Sequence, residues 1–203
     1  MPGRLFLTTS MADLGRWVGQ NVAPIAEQEP RRNIAPGQDV VCLTADGFKQ
    51  MRWGLIPVGR VNARGRPVME TIINARSETV FDKSAFEGVG RAVVIVDGWY
   101  EWTGETRHKT AWRIRNDEPL VFAAITDVWT APGRQKIHQM AVVTCAPNAD
   151  VKPIHHRMGV LLEKDSIELW LIGTPEEVAP LMVPWSGSRL IVERATDVDW
   201  NAS

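Results

Sequence analysis

The stretch Ala92-Val93-Val94-Ile95-Val96-Asp97-Gly98-Trp99-Tyr100-Glu101-Trp102 decides how the chain is read. Its first five residues are apolar and mostly β-branched, with Gly90 before them and Asp97-Gly98 after, which is the pattern of a buried strand. Three aromatics follow at once and enclose an acid, Glu101. Working outward, Trp112–Arg115, Leu120–Ile125 and Met140–Thr144 read as further strands. Turn chemistry lies between them in Asn116-Asp117-Glu118-Pro119 and Ala131-Pro132-Gly133. On the other side, Val40-Val41-Cys42-Leu43 meets Ala45-Asp46-Gly47 and returns toward Met51 and Trp53, an early hairpin.

Helical signals are confined to the flanks. Ser10 precedes Met11, Leu14, Trp17 and Val18, whose spacing draws one apolar face, and Asp13 can serve as its capping partner. Thr174-Pro175-Glu176-Glu177 supplies an N-cap, a proline at the first helical position and a reciprocal acid ahead of Val178, Leu181 and Met182. Pro24, Pro30 and Pro36 interrupt the chain between the first helix and the hairpin. Gly54, Pro57, Gly59, Gly65 and Pro67 mark a surface loop whose Arg60, Arg64 and Arg66 face water or a partner. There is no internal repeat and no dividing linker, so the 203 residues, 44% of them hydrophobic, are expected to form one α+β domain.

Composition excludes several classes. A formal net charge of −1 argues against a disordered polyelectrolyte and against a globally basic nucleic-acid coat. The charge is nevertheless uneven: residues 1–115 hold 16 Lys+Arg against 12 Asp+Glu, and residues 116–203 hold 7 against 12. Arginine dominates the first part and suits planar phosphate contacts, although ordinary solvated surfaces produce similar runs. Cys42 and Cys145 are too few for a disulfide framework or a cysteine-rich metal site. A reducing, cytoplasmic setting is therefore expected. No segment approaches the roughly 18 apolar residues of a membrane helix, and MPGRLFLTTS does not read as a secretory leader.

Asn74, Glu101 and His155 stand out because each lies at or just after a strand-like or apolar segment, where a scaffold can aim a side chain. The aromatics around Glu101 could exclude water and raise its pKa toward the range useful for proton transfer. The alternative makes it an exposed strand-end acid. His155 precedes His156-Arg157, a combination able to handle protons or orient phosphate, or else one structural imidazole beside an exposed one. Neighbouring side chains on an extended segment point apart and no second Cys or His cluster completes a zinc spacing, so no metal is expected. Asn74 either orients a carbonyl or caps its own turn. Glycine motifs for nucleotides are missing, and Cys145 reads as a small buried hydrophobe. Most of the tryptophans belong in a core, with one or two free to form a base-stacking platform.

Taken in order, Gly3-Arg4, Arg32-Asn33-Ile34-Ala35-Pro36, Trp53-Gly54-Leu55-Ile56-Pro57, Asn74-Ala75-Arg76-Ser77-Glu78-Thr79, Asp97 through Trp102 and His155-His156-Arg157-Met158 resemble the SOS-response-associated peptidase family over almost the whole chain. The resemblance implies one domain over residues 1–203, a compact mixed fold with a barrel-like β core and short peripheral helices. It implies recognition of single-stranded DNA containing an abasic site, covalent capture of the sugar aldehyde, removal of the initiator methionine, and no cofactor. It places Asn74, Glu101 and His155 in the pocket, Arg4 and Arg76 on DNA phosphates, and Trp53 and Trp102 near the strand. A monomer that makes no membrane contact is expected.

The resemblance also implies a cysteine directly after the methionine, whose amine and thiol close a thiazolidine on the aldehyde. Here that residue is Pro2. Proline has no thiol, but once Met1 is removed its secondary amine can attack an aldehyde to form an iminium ion. If Met1 stays, the only free amine is displaced by one residue. The expected function is thus abasic-site recognition with a reversible or lyase-like attack by Pro2. The alternatives are a noncovalent single-stranded-DNA-binding descendant and a peptidase-like hydrolase.

Overall fold

Two strands of unusual length organise the computed structural model, which describes residues 1–22, 25, 28–57, 64, 70–82, 86–105, 108–130 and 133–201. In chain order the strands are β1 (Arg4–Leu7), β2 (Arg31–Ile34), β3 (Asp39–Thr44), β4 (Gly47–Trp53), β5 (Asn74–Arg76), β6 (Gly90–Thr103), β7 (Thr110–Thr130), β8 (Lys136–Cys145), β9 (Met158–Gly159) and β10 (Ile191–Arg194). The helices are α1 (Met11–Val18), α2 (Ile167–Ile172) and α3 (Pro175–Val178). Among the described residues no helix is long and apolar enough to cross a membrane.

β6 and β7 form one antiparallel hairpin whose two halves do different things. The half pairing Gly90–Val96 with Leu120–Thr126 closes a barrel: β7 pairs β8, β8 pairs β4 in parallel, β4 pairs β3, and β3 returns to β6 through Cys42↔Val94 and Leu43↔Val93. The half pairing Gly98–Thr103 with Thr110–Arg115 projects as a wing, with β1 and then β2 added beside β6 and β10 added beside β7. The barrel wall takes the unbroken apolar run Ala92–Val96, buried on both faces, and the core holds the edge-to-face pair Trp99–Phe122, with ring centroids 5.4 Å apart. The result is a mixed α+β fold with a closed β-barrel core and short peripheral helices.

The helices form where their caps were expected. Ser10 accepts from the Asp13 backbone N–H, α1 ends on Gly19 in the left-handed region, and Thr174 with Glu177 completes a reciprocal box ahead of α3. α2 was not signalled by any cap. It is held by packing, with the buried Trp170 indole donating to the Ala92 carbonyl at 2.9 Å.

The structure corrects one feature of the strand reading. Asn116-Asp117-Glu118-Pro119 does not reverse the chain; it lies within β7, where the register with β6 slips between Val96 and Gly98. Leu120 faces Val96 and Arg115 faces Gly98, so the four residues 116–119 bulge out opposite Asp97 alone. Turn-forming residues here produce a bulge because apolar strand continues on both sides of them. Pro24, Gly59, Arg60, Gly65, Arg66, Pro67, Ala131 and Pro132 lie outside the described residues.

The slip has a use on the other strand. Asp97 receives four donors from the end of β1: Thr8 N at 2.6 Å, Thr8 Oγ1 at 2.7 Å, Thr9 N at 3.0 Å and Thr9 Oγ1 at 2.6 Å. Together with Arg4↔Tyr100, Leu5↔Trp99 and Phe6↔Gly98, this clamp fixes where the chain's beginning falls along β6. Gly98 permits the close approach, since a Cβ there would meet the Ile114 carbonyl and stand 2.7 Å from the Phe6 ring. Gly98→Ala is expected to cost about 2–3 kcal/mol of stability in denaturant unfolding, the range of an overpacked core site.

Candidate active site

Four segments meet at the start of β1. β6 alternates, so Trp99 and Glu101 share one face while Tyr100 and Trp102 take the other. β5, parallel to β8 with Asn74↔Val142, brings Asn74 to the same place. The turn between β8 and β9 contributes His155. Into this gathering runs the free amine of Met1: its nitrogen lies 2.9 Å from Glu101 Oε1, 2.8 Å from His155 Nδ1 and 3.4 Å from the Arg157 carbonyl oxygen. Those three partners match the three N–H donors of an ammonium.

Pro2 is buried and held from two sides. Its carbonyl accepts from Asn74 Nδ2 at 3.1 Å, and its ring packs where Gly159 has no side chain, since a Cβ at Gly159 would lie 3.3 Å from Pro2 Cγ. Its nitrogen is part of the Met1–Pro2 peptide bond. The structure therefore brings Asn74, Glu101, His155 and Pro2 together, but the amine between Glu101 and His155 belongs to Met1 in the chain that retains it.

The electrostatics follow from burial. Glu101 is 3% exposed, and loss of water pushes its carboxyl up to about 7 against the opposing pull of the ammonium. Burial lowers the Met1 ammonium from its ordinary value near 8.0, while Glu101 acts to keep the proton on. His155 falls to about 4, first from burial and then from the neighbouring ammonium and His156. Its ring stacks on exposed His156 with centroids 4.3 Å apart. Asn74 Oδ1, Trp99 Nε1 and Glu101 Oε1 are buried without a hydrogen-bond partner, although Glu101 Oε1 keeps its ion pair with the ammonium. A pocket with open donors and acceptors around an amine is equipped to receive a polar reactant.

The nucleic-acid residues divide. Trp53 is 0% exposed and its indole donates to the Ile73 carbonyl at 2.9 Å, so it is a core residue and no base can stack on it. The error has a physical cause: β4 ends inside the barrel wall, and an aromatic beside Gly54 looks the same in sequence whether it faces in or out. Arg76 is exposed at the end of β5. Arg4 is half-buried and donates to Asn33 Oδ1 at 2.6 Å. Trp102 is half-buried, 3.4 Å from a Cβ position at Gly3, and its ring meets Trp200 at 5.2 Å on the face opposite Glu101. Cys42 and Cys145 are both buried with their thiols raised by burial. Among the described residues no group of three or more His, Cys, Asp or Glu gathers as a metal site.

Glu101 and His155 pull the pH dependence of stability in opposite directions. A raised carboxyl makes the native state bind extra protons between about 4.5 and 7, so its contribution falls as pH rises; a depressed imidazole does the reverse between about 4 and 6.5. Glu101→Gln should therefore give stability that climbs more steeply with pH than the parent across about 4.5–6.5, and His155→Ala should give the opposite change. Denaturant midpoints measured across that window check both signs.

The family model for SOS response associated peptidase (SRAP) matches residues 1–198. The chain is 29% identical over 175 residues to abasic site processing protein YoaM of Bacillus subtilis, covering 80% of this chain and 76% of that protein. It is 28% identical to abasic site processing protein YedK of Escherichia coli over 171 residues, 82% and 73% of the two chains. A crystal structure of a protein from Bacteroides thetaiotaomicron shares the fold with a TM-score of 0.82 at 21% identity, covering 96% and 92% of the two chains. With residues 1–198 matched, the chain belongs to the SOS response associated peptidase family.

Proposed function

We propose that this protein recognises abasic sites in single-stranded DNA and that its N-terminal amine attacks the sugar aldehyde, the amine being that of Pro2 once Met1 has been removed. The observation that carries the reading is the terminal nitrogen held 2.9 Å from Glu101 Oε1 and 2.8 Å from His155 Nδ1. The names of the relatives, abasic site processing proteins, point the same way.

The chemistry follows from the groups present. An abasic deoxyribose is mostly a ring-closed hemiacetal. Neutral His155 takes the proton of its C1′ hydroxyl, the imidazolium so formed returns it to the ring oxygen, and the bond between C1′ and that oxygen breaks to give the aldehyde. The free-base amine adds to C1′ to give a carbinolamine. Protonated Glu101, with a pKa of about 7, gives its proton to the carbonyl oxygen as nitrogen adds, then accepts the proton leaving nitrogen and passes it to the hydroxyl, which departs as water and leaves the iminium. Burial favours this cycle twice, by lowering the ammonium's hold on its proton and by keeping half of Glu101 protonated near neutrality.

Pro2 suits the role because it stays anchored without Met1: Asn74 holds its carbonyl and Gly159 leaves room for its ring. Its nitrogen would lie about 3–4 Å from the present ammonium position, one backbone step along the chain. A secondary amine yields an iminium that keeps its positive charge. That charge acidifies C2′, and loss of the C2′ proton with departure of the 3′ phosphate cleaves the strand. Since neither buried cysteine is placed to add a thiol, the adduct stays open to hydrolysis or elimination.

Mass spectrometry after borohydride reduction of protein mixed with abasic single-stranded DNA tests this: a reduced adduct on Pro2 of the Met1-free protein is expected. An adduct on Met1, or none, overturns the assignment to Pro2. Glu101→Gln should slow trapping by about 10²-fold with little change in DNA affinity, the size of a lost proton-transfer group. Arg76→Ala should weaken DNA binding and reduce its salt slope by about one, with trapping per bound complex unchanged.

A further inference from the structure

Glu78 is assigned no part in the chemistry above, yet a continuous path ties it to His155. It follows β5 directly, in the 3-10 turn Ser77–Thr79, so one short element carries both Asn74 and Glu78. Arg157 meets it with a bidentate fork, Nη1 to Oε1 at 2.6 Å and Nη2 to Oε2 at 2.9 Å. The same Nη2 also donates to the Thr144 carbonyl and lies 3.3 Å from Thr144 Oγ1, which itself donates to the Ala75 carbonyl at 3.1 Å. The Arg157 side chain is 13% exposed and is thus gripped between Glu78 and the end of β8.

The backbone of that same arginine touches the reacting groups. Its N–H lies 3.0 Å from His155 Nδ1, and its carbonyl oxygen lies 3.0 Å from that same nitrogen and 3.4 Å from the terminal nitrogen. Nδ1 thus meets two donors, the backbone N–H and the ammonium, which favour the Nε2–H tautomer of neutral His155, and one acceptor, the carbonyl, which favours the other, so the placement of the 155–157 segment sets the balance. Residues 155–157 belong to neither a strand nor a helix. On the side of β9 they are held by the Cys145↔Met158 pairing and by the anchored Arg157 side chain.

We propose that Glu78 is a positioning residue: through the Arg157 fork it fixes the 155–157 segment, so that His155 presents Nδ1 and Arg157 its carbonyl to the N-terminal nitrogen. The proposal rests on the amine chemistry proposed above. It assigns the half-exposed Glu78–Arg157 pair a geometric role, where an exposed pair would contribute little to stability. Lysine cannot reproduce the fork, because a single ammonium cannot span both carboxylate oxygens and Thr144 in one plane.

Long-range proton–nitrogen NMR of the full chain labelled with ¹⁵N-histidine reads the tautomer directly. The parent should show His155 protonated on Nε2, and Glu78→Ala and Arg157→Lys should each show a mixture of tautomers. Glu78→Gln, which keeps the size but offers the fork one oxygen, should fall between them and guards against misfolding of the alanine variant. Reductive trapping of abasic DNA should slow about tenfold in Glu78→Ala, less than the roughly 10²-fold loss of a proton-transfer group because the base is displaced and not removed, with the DNA dissociation constant within about twofold. An unchanged His155 spectrum in all three variants, or trapping that falls only in step with binding, overturns the proposal. The NMR measurement needs no DNA, so a parent that traps nothing overturns the amine chemistry while the tautomers still decide whether Glu78 sets His155.

Discussion

Everything at the pocket depends on the register of β1 against β6. Arg4↔Tyr100 and Leu5↔Trp99 run antiparallel, so moving back along β1 toward residue 1 is moving forward along β6 toward Glu101. A slip of one residue would turn the β1 side chains to the opposite face and shift the amine by about 3.3 Å, beyond hydrogen-bonding reach of Glu101. The Asp97 clamp on Thr8 and Thr9 guards against that slip, and it stands at the one irregularity in the long hairpin. A terminus that frays in most proteins is here tied down at both ends of its strand.

Placing a carboxylate at that point is costly, because the barrel wall removes its water. The fold offsets the cost by delivering a cation to the same spot, and the compromise is legible in the two groups: the acid is weakened to about 7 and the amine also loses basicity. Glu101 is thereby close to its changeover near neutral pH, and the lowered basicity of the amine brings the proton affinities of the two groups closer together. His155, pushed down to about 4, stays neutral.

The long hairpin divides labour between rigidity and access. Its barrel half is a closed ring without free edges and holds the side of β6 that leads to Glu101. Its wing half carries a second, outward aromatic cluster of Phe6, Tyr100, Trp102 and Trp200, topped by the chain's last described residues. Arg113 joins this cluster to the tail through Asp197 at 2.5 Å. Alternation along β6 is what separates the two faces: odd positions 99 and 101 serve the pocket, even positions 100 and 102 the outer cluster.

Periodicity and caps alone determined the buried strand at residues 92–96, the early hairpin, the capped helices α1 and α3, and the acid among aromatics, because each is a local pattern whose physics is complete within a few residues. Glu101, Asn74 and His155 could be singled out for the same reason. Tertiary structure decided what depends on distant partners. It made 116–119 a bulge, because β6 continues past it on the other side. It buried Trp53, because β4 lines the barrel at that point. It formed α2, whose support is the Ala92 carbonyl of another strand. It also set the amine against Glu101, 100 residues along the chain, and Glu78 against Arg157. Neither contact has a local signature, since opposite charges that pair across a fold are joined by strand order and register, which no short window of sequence contains.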